Sequence, residues 1–130
     1  MPGATAETVL IVDDNRDAAD TLAVALQGYG HNVAVAYSAR EALDLLDENP
    51  GIGLVVSDIR MPDVSGFDFR RVVRHRFPKL PMVLITGIPV TSDDVIPRDT
   101  AILQKPVAAS DLQQVILDLQ NRATGDESTR

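Results

Sequence analysis

Apolar residues gather in five short runs along the chain: Val9–Val12, Val33–Ala36, Leu54–Val56, Met82–Ile85 and Ala101–Leu103. The first, third and fourth hold almost no polar residue, the pattern of parallel strands covered on both faces. Val33–Ala36 is weaker and reads as an edge strand. Between these runs the apolar spacing becomes helical. Asp14 or Asn15 is placed to cap a helix reaching about Gln27, with Ala18, Leu22, Ala25 and Leu26 on one face and Gly28 and Gly30 as stop signals. Ser38-Ala39-Arg40-Glu41 has the form of a capping box, and Ala42, Leu45 and Leu46 make a stripe behind it that ends before Pro50. A third helix is expected from about Gly66, burying Phe69, Val72 and Val73 before Pro78. A second capping box, Ser110-Asp111-Leu112-Gln113, opens a last helix with Leu112, Val115, Ile116 and Leu119 at helical spacing. Within Thr91–Asp99, Ser92, Asp93 and Asp94 suit a helix start, but Pro97 follows almost at once, so only a turn or two is expected.

Strands alternating with helices predict an α/β fold, a parallel sheet with right-handed crossovers and helices on both faces. Residues 8–121 read as one domain, 1–7 as a flexible N-terminus and 122–130 as a tail or linker stub. A chain of 130 residues suffices to bury a core without disulfides, and with no cysteine it has none. Zinc would have only two distant histidines, His31 and His75. The net charge of −7 disfavours nucleic acid and anionic membrane as general partners. No apolar run is long enough for a membrane span, and the N-terminus lacks a signal-peptide pattern. A cytoplasmic protein is expected.

In open parallel sheets the site lies at the carboxyl ends of the strands. Asp13 and Asp14 follow the first strand, Ser57-Asp58 the third, Thr86-Gly87 the fourth, and Gln104-Lys105-Pro106 the fifth. Parallel strands would bring three carboxylates, a hydroxyl and an ammonium to one edge. Three close carboxylates do not all ionise easily without a cation, and Mg²⁺ is a hard ion that takes such oxygens and pairs with phosphate. A carboxylate so placed is able to attack phosphorus and form an acyl phosphate. Taken singly, each residue has a plainer reading: Asp13-Asp14 as a helix start, Asp58 and Thr86 as turn residues, Lys105 as a surface lysine. The ordered combination at four strand ends is what favours chemistry.

That ordered set, Asp13-Asp14, Asp58 with Met61-Pro62 and Gly66 behind it, Thr86-Gly87 and Lys105-Pro106, resembles the receiver domain of two-component response regulators over about residues 8 to 121. The resemblance implies a flavodoxin-like, doubly wound five-stranded sheet of order 2-1-3-4-5. It implies that Asp58 accepts a phosphoryl group beside Mg²⁺, for which Mn²⁺ could substitute. Asp14 would bind the metal directly, Asp13 mainly through water, and the backbone carbonyl of Arg60 would be a further ligand with Asp58. Thr86, Gly87 and Lys105 would contact the phosphoryl oxygens, and the Lys105–Pro106 peptide would be cis. A sensor histidine kinase or a histidine phosphotransfer protein would be the donor, and an unidentified protein the target. Such a domain is a monomer or weak dimer, binds neither nucleic acid nor membrane directly, and is no enzyme beyond its own phosphoryl transfer and autodephosphorylation.

Two features depart from the family. Many receivers carry an aromatic residue three positions before the lysine, where this chain has Ile102. The aromatic ring swings in as the threonine moves, so the switch pair here is Thr86 with an aliphatic partner. The stretch from Thr86 to Lys105 is short and holds Pro89 and Pro97, so a stunted fourth helix is expected, as in stand-alone receivers or those of hybrid kinases. Three other functions compete. A phosphohydrolase of the haloacid dehalogenase type needs an acid two residues after its nucleophile, and Arg60 stands there. A flavin module would find its phosphate repelled by Asp13-Asp14. A degenerate receiver would bind partners without phosphorylation.

Overall fold

The computed structural model describes residues 7–61, 63–87 and 100–128, with side chains of the last helix described to residue 121. The elements are β1 (Thr8–Val12), α1 (Arg16–Gly28), β2 (Asn32–Ala36), α2 (Ala39–Glu48), β3 (Ile52–Asp58), α3 (Gly66–Arg76), β4 (Met82–Thr86), β5 (Thr100–Gln104) and α4 (Ala109–Ser128). The strands form one sheet of order β2-β1-β3-β4-β5, with every pairing parallel. β1, β3 and β4 lie inside it and are the strands with nearly continuous apolar runs. The weaker β2 is at one edge, as its pattern predicts.

Because side chains alternate along a strand, each central strand feeds two cores. Val9, Ile11, Leu54, Val56, Val83 and Ile85 pack with α1 and α4 on one face. Leu10, Val12, Val55, Met82 and Leu84 pack with α2 and α3 on the other. The fold is thus doubly wound and flavodoxin-like, with four helices among the described residues.

Asn15 caps α1, its side chain accepting from the Ala18 N–H at 3.1 Å. The helix ends with Gly30 N–H bonded to the Gln27 carbonyl and His31 N–H to that of Leu26. Gly30 has φ of 96°, a conformation that glycine adopts at no steric cost. Ser38 caps α2 through the Glu41 N–H, while Glu41 reaches back to the Tyr37 N–H.

Three helical expectations need correction. α1 buries Ala19, Ala23 and Leu26, with Leu22 packed beside them, while Ala18 is exposed. In α3, Phe69 and Val73 are buried but Val72 is 40% exposed, because neighbouring residues stand about 100° apart around a helix. Ser110 does not cap α4. The Ala108 carbonyl already accepts from Leu112 N–H, so the ladder starts ahead of it and Ser110 sits in the first turn. Leu112, Ile116 and Leu119 are buried as expected, with Val115 packed against them. α4 continues through Ser128, past the domain edge expected near 121. No proline interrupts it, and an isolated glycine such as Gly125 costs a helix only about 1 kcal/mol. The expected N-terminal arm up to residue 6, Pro62 and the segment 88–99, where the short helix was anticipated, lie outside the described residues.

Candidate functional site

The parallel register brings the ends of four strands together. β1 pairs with β3 as far as Val12 and Ser57, which places Asp13 beside Asp58. β3 pairs with β4 through Asp58 and Ile85, and β4 with β5 through Thr86 and Gln104. Backbone bonds continue past the strands: Ile59 N–H donates to the Ile85 carbonyl at 2.9 Å, and Lys105 N–H to the Thr86 carbonyl at 2.7 Å. Every site side chain therefore stands within one or two residues of an anchored ladder.

Asp13, Asp14 and Asp58 each offer an oxygen within 4.8 Å of the others. They differ in setting. Asp58 is only 6% exposed, Asp13 is half-buried and Asp14 faces solvent. Lys105 reaches over from β5, its Nζ 3.0 Å from Asp58 Oδ2, while Arg60 N–H donates to Asp58 Oδ1 at 3.3 Å. Burial is the main cause that raises the Asp13 carboxyl above its ordinary value of 3.8; the Asn15 N–H, 3.0 Å from its Oδ1, opposes this. The charges of Asp58 and Asp14 push it further up, and Lys105 pulls it down. Three hard oxygen donors close together, one buried and bonded to Lys105 and another half-buried, are a donor set suited to a small divalent cation such as Mg²⁺ or Mn²⁺.

Thr86 is 7% exposed at the end of β4, and Gly87 beyond it is exposed. A Cβ built at Gly87 would meet nothing within 4 Å among the described residues. The Lys105–Pro106 peptide is cis. Ile102 is half-buried and packs against the core under α2 and α3.

Gly66 is the close-approach glycine. A Cβ there would lie 2.5 Å from Ile59 Cα and 2.8 Å from the Asp58 carbonyl oxygen, and its own N–H donates to the Ile59 carbonyl at 2.6 Å. The start of α3 is thereby clamped to the end of β3. Sequence reasoning left three contacts here unread. Ser57 is fully buried, with its Oγ on the Asp58 carbonyl at 3.0 Å. The Arg60 amide binds the Asp58 carboxylate, and Asp63 bonds outside its own loop, to Arg40 N–H at 3.3 Å. Ser57 and Arg60 flank Asp58 in sequence, a usable signal. The Asp63 contact spans distant segments and leaves none.

A family model for the response regulator receiver domain matches residues 9–117. The chain is 33% identical over 127 residues to a putative transcriptional regulator of Haloferax volcanii, covering 98% of this chain and 22% of that protein. It is 35% identical over 114 residues to the C4-dicarboxylate transport transcriptional regulatory protein DctD of Rhizobium meliloti, covering 85% and 25% respectively. It thus spans about a quarter of the length of these two regulators. A response regulator receiver domain protein from Clostridium thermocellum has the same fold, with a TM-score of 0.81 at 29% identity over 91% of this chain and 97% of that one.

Proposed function

This chain belongs to the response regulator receiver domain family, and from that premise we propose that it is a phosphoacceptor switch with Asp58 as the accepting residue. The observation that carries the reading is the setting of Asp58: buried, bonded to Lys105 Nζ, and grouped with Asp13 and Asp14 at the sheet edge. Asp13, Asp14 and Asp58, with the Arg60 carbonyl, would hold Mg²⁺, or Mn²⁺ in its place. Bound there, the cation would neutralise carboxylate charge and the charge gathering on the transferred group.

The chain's own residues do the rest. An Asp58 carboxylate oxygen attacks phosphorus in line as the bond to the donor breaks, either phosphohistidine nitrogen or the acyl oxygen of a small phosphate donor. Lys105, already on Asp58, shares its protons with a phosphoryl oxygen and holds the product. Thr86 and the Gly87 amide face the same group from β4. A sensor histidine kinase or histidine phosphotransfer protein is the expected donor, and a downstream protein reads the altered surface. The two relatives named as transcriptional regulators extend far beyond the region matched here, so nucleic-acid contact is not assigned to this domain. No helix among the described residues is long and apolar enough to cross a membrane.

Incubation with acetyl phosphate and Mg²⁺, followed by intact mass, tests the reading. One phosphoryl group should appear on the wild type and none on Asp58→Asn or without Mg²⁺. Equal labelling of Asp58→Asn would refute the assignment. No labelling under any condition would favour a receiver that binds partners without phosphorylation.

A further inference from the structure

Beyond the carboxylates, the loop joining β3 to α3 makes contacts that lead away from the site. Its base is pinned, because Gly66 and Ile59 share a 2.6 Å backbone bond with no room for a Cβ between them. Farther out, Asp63 bridges two backbones: Oδ1 accepts from Val64 N–H at 3.1 Å and Oδ2 from Arg40 N–H at 3.3 Å. Arg40 lies in the first turn of α2, where amides lack helical partners and a carboxylate is favoured. The next residue, Glu41, accepts from Tyr37 N–H at 3.2 Å. The Tyr37 hydroxyl donates to Asp20 of α1 at 2.7 Å, and the Arg16 guanidinium lies 4.1 Å from its ring centroid. A run of bonds thus leads from Asp63, through the first turn of α2, to Tyr37 and the α1 residues Asp20 and Arg16.

We infer that the chemical state of Asp58 is transmitted through Asp63 to the Tyr37 corner, so that the hydrogen bonds of that corner follow the state of the switch. This rests on the phosphoacceptor reading and adds how far its signal reaches. Arg60 N–H now donates to an oxygen of the Asp58 side chain. Phosphorylation turns that carboxylate into an acyl phosphate, leaving a weaker neutral acceptor beside new phosphoryl oxygens. The Arg60 amide must re-form its bond. Ile59 and Gly66 are tied by their backbone bond, so the change falls first on Arg60 and Asp63, the residues whose bonds leave the loop. Asp63 is exposed and its bond to Arg40 is long, so it is the link that yields most readily. The two arrangements, Asp63 on or off the α2 terminus, form the two-state element that such coupling requires.

Amide NMR of the whole chain, with Mg²⁺ and with or without beryllofluoride, reads this directly. In the wild type the amides of Arg60, Arg40 and Tyr37 should all shift on addition. In Asp63→Ala the Arg60 shift should persist, while those of Arg40 and Tyr37 fall to the level of a remote amide such as His31. Asp63→Asn keeps one oxygen acceptor without the charge, and should retain part of the response. Wild-type shifts confined to Arg60, or Arg40 and Tyr37 shifts unchanged in Asp63→Ala, would overturn the coupling while leaving Asp58 as acceptor. No shift even at Arg60 would overturn the phosphoacceptor reading and the coupling together.

Discussion

Asp13 keeps its carboxylate partly out of water and near two others, and this arrangement costs stability whenever the cation is absent. Its pKa is raised by burial first and by Asp58 and Asp14 after that. A carboxyl raised in this way holds its proton more tightly in the folded chain than in the unfolded one. Its contribution to stability is full below the unfolded value of about 3.8 and is lost as pH rises through the higher folded value. In metal-free protein at neutral pH, Asp13→Asn should therefore stabilise, by about 0.5 kcal/mol because partial exposure screens the charge, or about 1–2 °C in Tm. The gain should vanish in acid, where wild-type Asp13 is itself neutral, and reverse with saturating Mg²⁺, since the variant has one carboxylate fewer to offer. Thermal melts at neutral and acid pH, with and without Mg²⁺, check all three signs. A gain that persists in acid would assign the effect to packing instead of charge.

The clamp between β3 and α3 acts on whole elements. In Gly66→Ala the new Cβ would meet Ile59 Cα and the Asp58 carbonyl, both backbone atoms with no rotamer to escape into. Overpacking of this kind costs about 1–3 kcal/mol, and here either α3 or the end of β3 must give way. Urea melts should show the loss, and acetyl phosphate labelling should slow as Asp58 is displaced; a variant unaffected in both would contradict the clamp. The strands were legible in the sequence because two-sided burial leaves apolar runs that few other structures produce, and once their parallel order was known their ends located Asp13, Asp14, Asp58, Thr86 and Lys105. The run Leu54–Val56 understated β3, which extends over Ile52–Asp58, because Gly53 and Ser57 join the ladder without looking apolar. Helix faces were less legible where alanines cluster: Ala18 and Ala19 carry the same weak signal, and only packing decides that Ala19 turns inward. Ser110 shows the same limit, since the capping-box spacing also occurs inside a helix that has already begun. Links such as Asp63 to Arg40 or Arg70 to Thr100 join segments whose meeting only the fold determines.

At the scale of the molecule, the sheet separates two cores and carries the site along one edge. Each core should respond to truncation separately. Ile116→Ala, on the buried face of α4, should cost roughly 2–5 kcal/mol and Phe69→Ala, on the buried face of α3, roughly 3–5 kcal/mol, whereas Val72→Ala, on the exposed side of α3, should stay within about 0.5 kcal/mol. Chemical denaturation of the three variants checks this, and a large loss at Val72 would contradict the observed facing of α3. The Tyr37 corner also has an optical consequence. The chain holds no tryptophan and two tyrosines, so its near-ultraviolet emission comes almost wholly from Tyr29 and Tyr37. Tyr29→Phe would leave one bright fluorophore, hydrogen-bonded to a carboxylate and covered by a guanidinium, two neighbours that alter its quantum yield. The unlabelled protein would then report changes at its own surface by light.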